Sequence, residues 1–226
     1  MKRLYLSLLT LLLVSNILEA RHVILCGGPA LRKWEDLRVE RDQHDRWWAN
    51  FIRASTLRMD ELRRVYGQSA PIVWIVYKPG YIARGKEDGK PYTKWIQEQA
   101  SKRGAKLKWV STGQSVISTI NSQPSKSITT FDFFGHSNRH CFMLDYGCNI
   151  MGASKAYIHE RHLSKLSKRP FSPFAVCQSY GCHTGESMSG YWRKAVGIPL
   201  IGANGKTDYI VVGKGQLPRV VGSWTQ

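Results

Sequence analysis

Six short apolar runs recur along the chain: RHVILC (residues 21–26), PIVWIVY (71–77), LKWVST (107–112), TTFDFF (129–134), FAVCQSY (174–180) and IPLIGAN (198–204). Segments with helical spacing lie between most of them. Short apolar runs bounded by turn residues fit buried strands, and strands that alternate with helices imply crossover connections. The pattern predicts an α/β fold, a three-layer α/β/α sandwich around a mostly parallel sheet. Residues 40–66, with Trp47, Trp48, Phe51, Ile52, Leu57 and Leu62, read as one or two amphipathic helices. Further helices are predicted over 92–103, 114–121, around 155–167 and over 186–196, and KPGYIARGKEDGKP (78–91) reads as a loop. With 226 residues, 42% of them apolar, and no repeat or linker, a single domain over 21–226 is expected.

Residues 1–20, MKRLYLSLLTLLLVSNILEA, place Lys2 and Arg3 before an apolar stretch that ends promptly, with Ala20 at a cleavage-like position. That is the pattern of a secretory signal peptide, and it predicts a secreted, periplasmic or cell-envelope protein with no transmembrane span in the mature chain. Losing Lys2, Arg3 and Glu19 with the peptide would lower the net charge from +17 to +16. So positive a surface favours an anionic surface or an acidic protein as partner. Its Lys and Arg residues are dispersed as on a solvated face, and the aromatics, Trp74, Trp109 and Phe133 among them, fall at core-like positions. Nucleic acid is therefore not the expected partner.

In a parallel sheet, functional residues gather at the carboxyl ends of the strands. Two strands end in reactive side chains here, one running into Gly135-His136-Ser137 and the other into Gly181-Cys182-His183. If these strands are neighbours, Cys182 and His136 share one edge, where an imidazole activates a thiol as nucleophile. His183 is the poorer base, because successive side chains in extended chain point to opposite sides. Gly181 allows a tight turn before the sulfur, and the helix expected to follow would bring its positive N-terminus near it. Backbone N–H groups at Cys182 and around Gly135 to Ser137 are candidates for holding an oxyanion. His183 and Asp208 are candidate substrate-pocket residues.

Five cysteines, Cys26, Cys141, Cys148, Cys177 and Cys182, leave at least one thiol unpaired within a monomer. Cys141 and Cys148 bracket a short loop and are placed for a local disulfide. As nucleophiles, Cys182 ranks first, Cys177 second and Cys148 third.

A strand ending at a histidine, followed some dozens of residues later by a strand ending at a cysteine, resembles the caspase-like cysteine peptidase clan of caspases, legumains, gingipains and separases. The resemblance covers the order of elements over 21–204, with specific residues only at 131–137 and 174–185. It implies a caspase-like fold, a Cys-His dyad of Cys182 and His136, a polypeptide substrate and no cofactor. Ser137 stands where the family has a glycine after its histidine, and YGCHTG departs from the caspase signature, so the narrower caspase assignment does not follow.

Other motifs fail on spacing. His159-Glu160-Arg161-His162 is one residue short of the helical metalloprotease motif, GANGKTD lacks the first phosphate-loop glycine, and Ser189 occupies the closing position of a serine elbow. No metal is expected. The competing expectation is a non-catalytic protein of the same fold whose basic surface engages an anionic envelope or protein partner.

Overall fold

The computed structural model describes residues 20–43, 45–151 and 153–225. The predicted signal peptide lies outside them, apart from Ala20. Along the chain run β1 (Arg21–Cys26), α1 (Arg32–Glu35), α2 (Asn50–Tyr66), β2 (Ile72–Tyr77), α3 (Lys78–Asp88), α4 (Tyr92–Lys102), β3 (Lys106–Val110), α5 (Gly113–Asn121) and β4 (Ile128–Phe134). Then come β5 (His136–Ser137), β6 (Cys141–Met143), β7 (Tyr157–His159), β8 (Phe171–Ser179), α6 (Met188–Val196) and β9 (Leu200–Ile201). Four two-residue strands follow: β10 (Ala203–Asn204), β11 (Thr207–Asp208), β12 (Arg219–Val220) and β13 (Ser223–Trp224).

The fold is α/β. Six strands form a parallel sheet in the order β3-β2-β1-β4-β8-β9. Alternate side chains of β1 divide between two cores, as the pleat requires. Val23 and Leu25 pack with Val116, Ile117 and Ile120 of α5 and Met188, Trp192 and Val196 of α6. Ile24 and Cys26 pack on the other face with Phe51, Ile52 and Met59 of α2, Tyr81 of α3 and Ile96 of α4. Both faces are thus covered at the central strands β1, β2 and β4, which is why they read as nearly unbroken apolar runs, whereas β8 leaves Phe174 and Val176 exposed. Among the described residues no helix is long and apolar enough to cross a membrane.

Two segments depart from the sequence reading. Residues 78–88, expected as loop, are helical: Pro79 sits in the first turn, where its missing N–H is no loss, and Gly89 ends the helix at φ +63°. The helix expected around 155–167 is instead β7 followed by a 3-10 turn over Glu160–Lys165. β7 is captured by β6, Cys141 facing His159, and the His159 ring accepts the Arg161 N–H at 3.1 Å to start the turn.

Beneath α2, the sheet buries an ionisable group of His22, Asp132 and Arg58. Asp132 Oδ2 lies 3.0 Å from Arg58 Nε, and His22 Nδ1 hydrogen-bonds the Thr130 hydroxyl at 3.0 Å. Burial, reinforced by the Arg58 charge, pulls the His22 imidazole down from 6.5 to about 4. Burial pushes the Asp132 carboxyl up from 3.8 to about 6 although Arg58 opposes it. The linked stabilities have opposite signs. As pH falls from 6.5 towards 4 the unfolded chain protonates His22 first and stability is lost, whereas the folded chain protonates Asp132 first and stability is gained. The two slopes offset each other in the wild type. Asp132→Asn should therefore lose about 3 kcal/mol more than wild type over this window. Thermal unfolding followed by circular dichroism checks it, and parallel pH profiles for the two proteins would contradict it.

Candidate active site

In an open parallel sheet, the crevice lies where the strand order reverses, at the carboxyl ends. Here β1 and β4 are adjacent, with β2 and β3 beyond one and β8 and β9 beyond the other. The chain leaves β1 through Gly27-Gly28 into the loop that carries Asp45, and leaves β4 through Gly135 into His136. β4 and β8 are hydrogen-bonded neighbours with Phe133 opposite Ser179. His136 and Cys182 each stand three residues beyond that pair, so both overhang the same edge. The Ser137 hydroxyl donates to the Cys182 carbonyl at 2.7 Å and joins the two strand ends. Gly181 makes this approach possible, because a Cβ there would run into the Ser137 side chain.

His136 is fixed on three sides. Its Nε2 is 2.5 Å from Asp45 Oδ2, the Phe51 ring meets it edge-on at 5.1 Å between centroids, and the Tyr146 ring tilts against it at 4.3 Å. Nδ1 has no hydrogen-bond partner among the described residues and is the nitrogen left for chemistry. Asp45 is fully buried, and its Oδ2 also accepts the Ala30 N–H at 2.8 Å. Burial would raise this carboxyl, but His136, the Ala30 N–H and Arg84 outweigh it and hold the group below the ordinary aspartate range. Glu35, also buried, accepts the Asp45 N–H at 2.9 Å, and burial together with the Asp45 charge pushes its own carboxyl up. Asp45 escaped the sequence reading, since a carboxylate in the charged stretch 35–46 looks like one more solvated residue.

Asp45 is placed by Arg84. This guanidinium, 1% exposed, donates to the carbonyls of Ala30 at 2.9 Å, Asp45 at 2.8 Å and Arg46 at 2.9 Å, and pairs with Asp88 at 2.7 Å. The unexpected α3 is what delivers it.

The Cys182 sulfur is half-buried and lies 3.3 Å from both the backbone N–H and the hydroxyl of Thr207, on β11. No acceptor takes the Cys182 N–H among the described residues. His183 adopts φ +61°, its N–H donates to the Gly205 carbonyl at 2.7 Å, and its ring is 2.5 Å from Glu186. His183 and Arg139 hold the Glu186 carboxyl down at about 2. Asp208 accepts the Ile210 N–H at 2.8 Å and faces Arg219 at 3.8 Å. Its neighbour Thr207, which the sequence reading passed over, is the β11 residue that reaches the sulfur. The expected help from the helix after Cys182 does not materialise. α6 begins only at Met188, and the N–H groups of Met188, Ser189 and Gly190 are already bonded to the carbonyls of Arg139, Thr184 and Ser187.

All five cysteines are unbridged. The local Cys141–Cys148 disulfide fails because the chain between them is drawn away. Leu144 and Tyr146 carbonyls accept the N–H groups of Gly28 and Leu31, and the Cys148 carbonyl accepts the Trp34 indole N–H at 2.8 Å. Cys177 faces the core from β8, and burial pushes its thiol up to about 12. Among the described residues no three His, Cys, Asp or Glu side chains are grouped to hold a metal ion.

No family model matches this chain, and neither the curated proteins nor the solved structures contain a significant match.

Replacing Arg84 with methionine strands three carbonyls and the Asp88 carboxylate, of which Arg32 and Tyr92 still hold the last. The expected loss is about 3–5 kcal/mol, a fall in Tm of about 10 °C, measured by calorimetry. A shift of a degree or two would mean that the loop holds Asp45 without it.

Proposed function

We propose that this chain is a cysteine peptidase with a caspase-like α/β/α sandwich, in which Asp45, His136 and Cys182 act as a triad on a polypeptide. The observation that carries the reading is the 2.5 Å contact of His136 Nε2 with a buried carboxylate, on the strand end beside Cys182. Asp45 fixes the ring orientation. His136 Nδ1 takes the thiol proton, and the Cys182 sulfur forms a bond to the scissile carbonyl carbon. The Cys182 N–H holds the oxyanion. Collapse breaks the C–N bond as His136 returns the proton to the departing amine. Water, deprotonated by His136, then attacks the thioester, and its collapse releases the acid and restores the thiol. Thr207 contributes a fixed N–H 3.3 Å from the sulfur.

The test is alkylation of the folded protein with iodoacetamide between about pH 5 and 9, with the labelled cysteine mapped by mass spectrometry. Cys182 should label selectively at the acid end, His136→Ala should abolish this, and Asp45→Asn should move its onset to higher pH. In a peptide-library assay Asp45→Asn should lower turnover about a hundredfold or more. An inert Cys182 would sink the reading. The net charge of +17 would then favour a binding protein for an anionic surface or acidic partner, with affinity that falls steeply with salt.

A further inference from the structure

Away from the dyad, tryptophans crowd the outer surface of α2 and α4. Trp48 stacks on Tyr92 at 3.9 Å between centroids and 13° between planes, and Trp95 leans on both at 5.9 and 5.4 Å. Trp47 and Trp95 remain 43% and 37% exposed. The three indoles border a cavity of about 350 Å³ that Arg53, Glu98 and Gln99 also line. Glu98 also lines a second cavity of about 620 Å³, with Lys78, Lys94, Gln97 and Trp109, but the two cavities have no other residue in common. Each cavity is of ligand size.

In the first cavity Gln99 Oε1 accepts from Arg103 at 2.6 Å and the Thr56 hydroxyl donates to the Arg53 carbonyl at 2.9 Å, while the remaining polar groups are uncommitted. Among the described residues the Arg53 guanidinium, the Glu98 carboxylate and the indole N–H groups of Trp47, Trp48 and Trp95 have no hydrogen-bond partner. A purely apolar occupant would bury Arg53 and Glu98 unsatisfied. A polyphosphate chain would meet the Glu98 charge, and a quaternary ammonium, which suits an aromatic cage, would meet Arg53. A neutral chain of sugar rings satisfies every element. Its C–H faces lie on indole planes, while its hydroxyls donate to Glu98 and accept from Arg53, Gln99 and the indole N–H groups. We propose that this first cavity, between α2 and α4, binds a neutral oligosaccharide, independently of the Cys182 site.

The test titrates the protein with cellohexaose, chitohexaose and maltohexaose, following tryptophan fluorescence and heat of binding. At least one should bind with a millimolar or lower Kd, equally well in Cys182→Ala. Trp95→Ala and Glu98→Gln should each weaken it by about tenfold or more, with circular dichroism confirming that both variants are folded. Glu98→Gln keeps the test decisive if Trp95→Ala fails to fold. The proposal is overturned if none of the three sugars binds, if neither folded variant changes the affinity, if Cys182→Ala abolishes binding, or if choline or a single-stranded oligonucleotide binds in their place.

Discussion

One buried cation holds the loop after β1 in place at the carboxyl edge of the sheet. Arg84 is taken out of water with its donors spread over three carbonyls of the loop after β1 and the Asp88 carboxylate. A buried guanidinium is tolerable only when its hydrogens are matched, so the helix and the loop must adopt their geometry together or not at all. The loop's own apolar anchors are Ala30, Leu31, Ala49 and Trp48, the last stacked on Tyr92. Through Arg84 it is tied to α3, which packs against the sheet by Tyr81, and the Tyr81 hydroxyl donates to the Gly27 carbonyl at the end of β1. The position of Asp45, and through it the orientation of His136, descends from that arrangement.

The second constraint is closeness at the strand ends. Gly135, Gly181, Gly185 and Gly202 all lie where a Cβ would strike a neighbour at 3.0 Å or less. The β4 and β8 ends approach each other more tightly than side chains permit, which is how Ser137 reaches the Cys182 carbonyl. In these terms the serine after the histidine is a tether, bonding to the neighbouring strand end through its side chain.

Much of the scaffold was legible because burial on both faces writes itself into sequence as unbroken apolar runs, and β1, β2 and β4 are such runs; β8 reads the same way although Phe174 and Val176 are exposed. The edge strand β3, with Lys106 and Lys108 exposed, was readable through Leu107, Trp109 and Val110. α3 was not, because Pro79, Gly80 and Gly85 lower its intrinsic helicity and its formation rests on tertiary anchors, Tyr81 and Arg84. Strand ends pointed to His136 and Cys182, since a reactive side chain after an apolar run is a local pattern. Asp45 and Thr207 carry no such pattern. Each acquires its role from a partner 91 or 25 residues away, a distance that no window along the chain spans. The same holds for Trp47, Trp48 and Trp95, which helical spacing assigns to packing and which the fold leaves partly at the surface.

The division of the cysteines between core and edge also makes the chain a gauge of its own integrity. Cys26 and Cys177 are sealed in opposite cores, and burial pushes both thiols up to about 12, so neither meets a reagent nor ionises while the sheet is intact. Only opening of the sheet exposes them, and each reports on a different layer. Counting reactive sulfurs against time thus reads out which side of the sandwich comes apart first, with no label added and no residue changed.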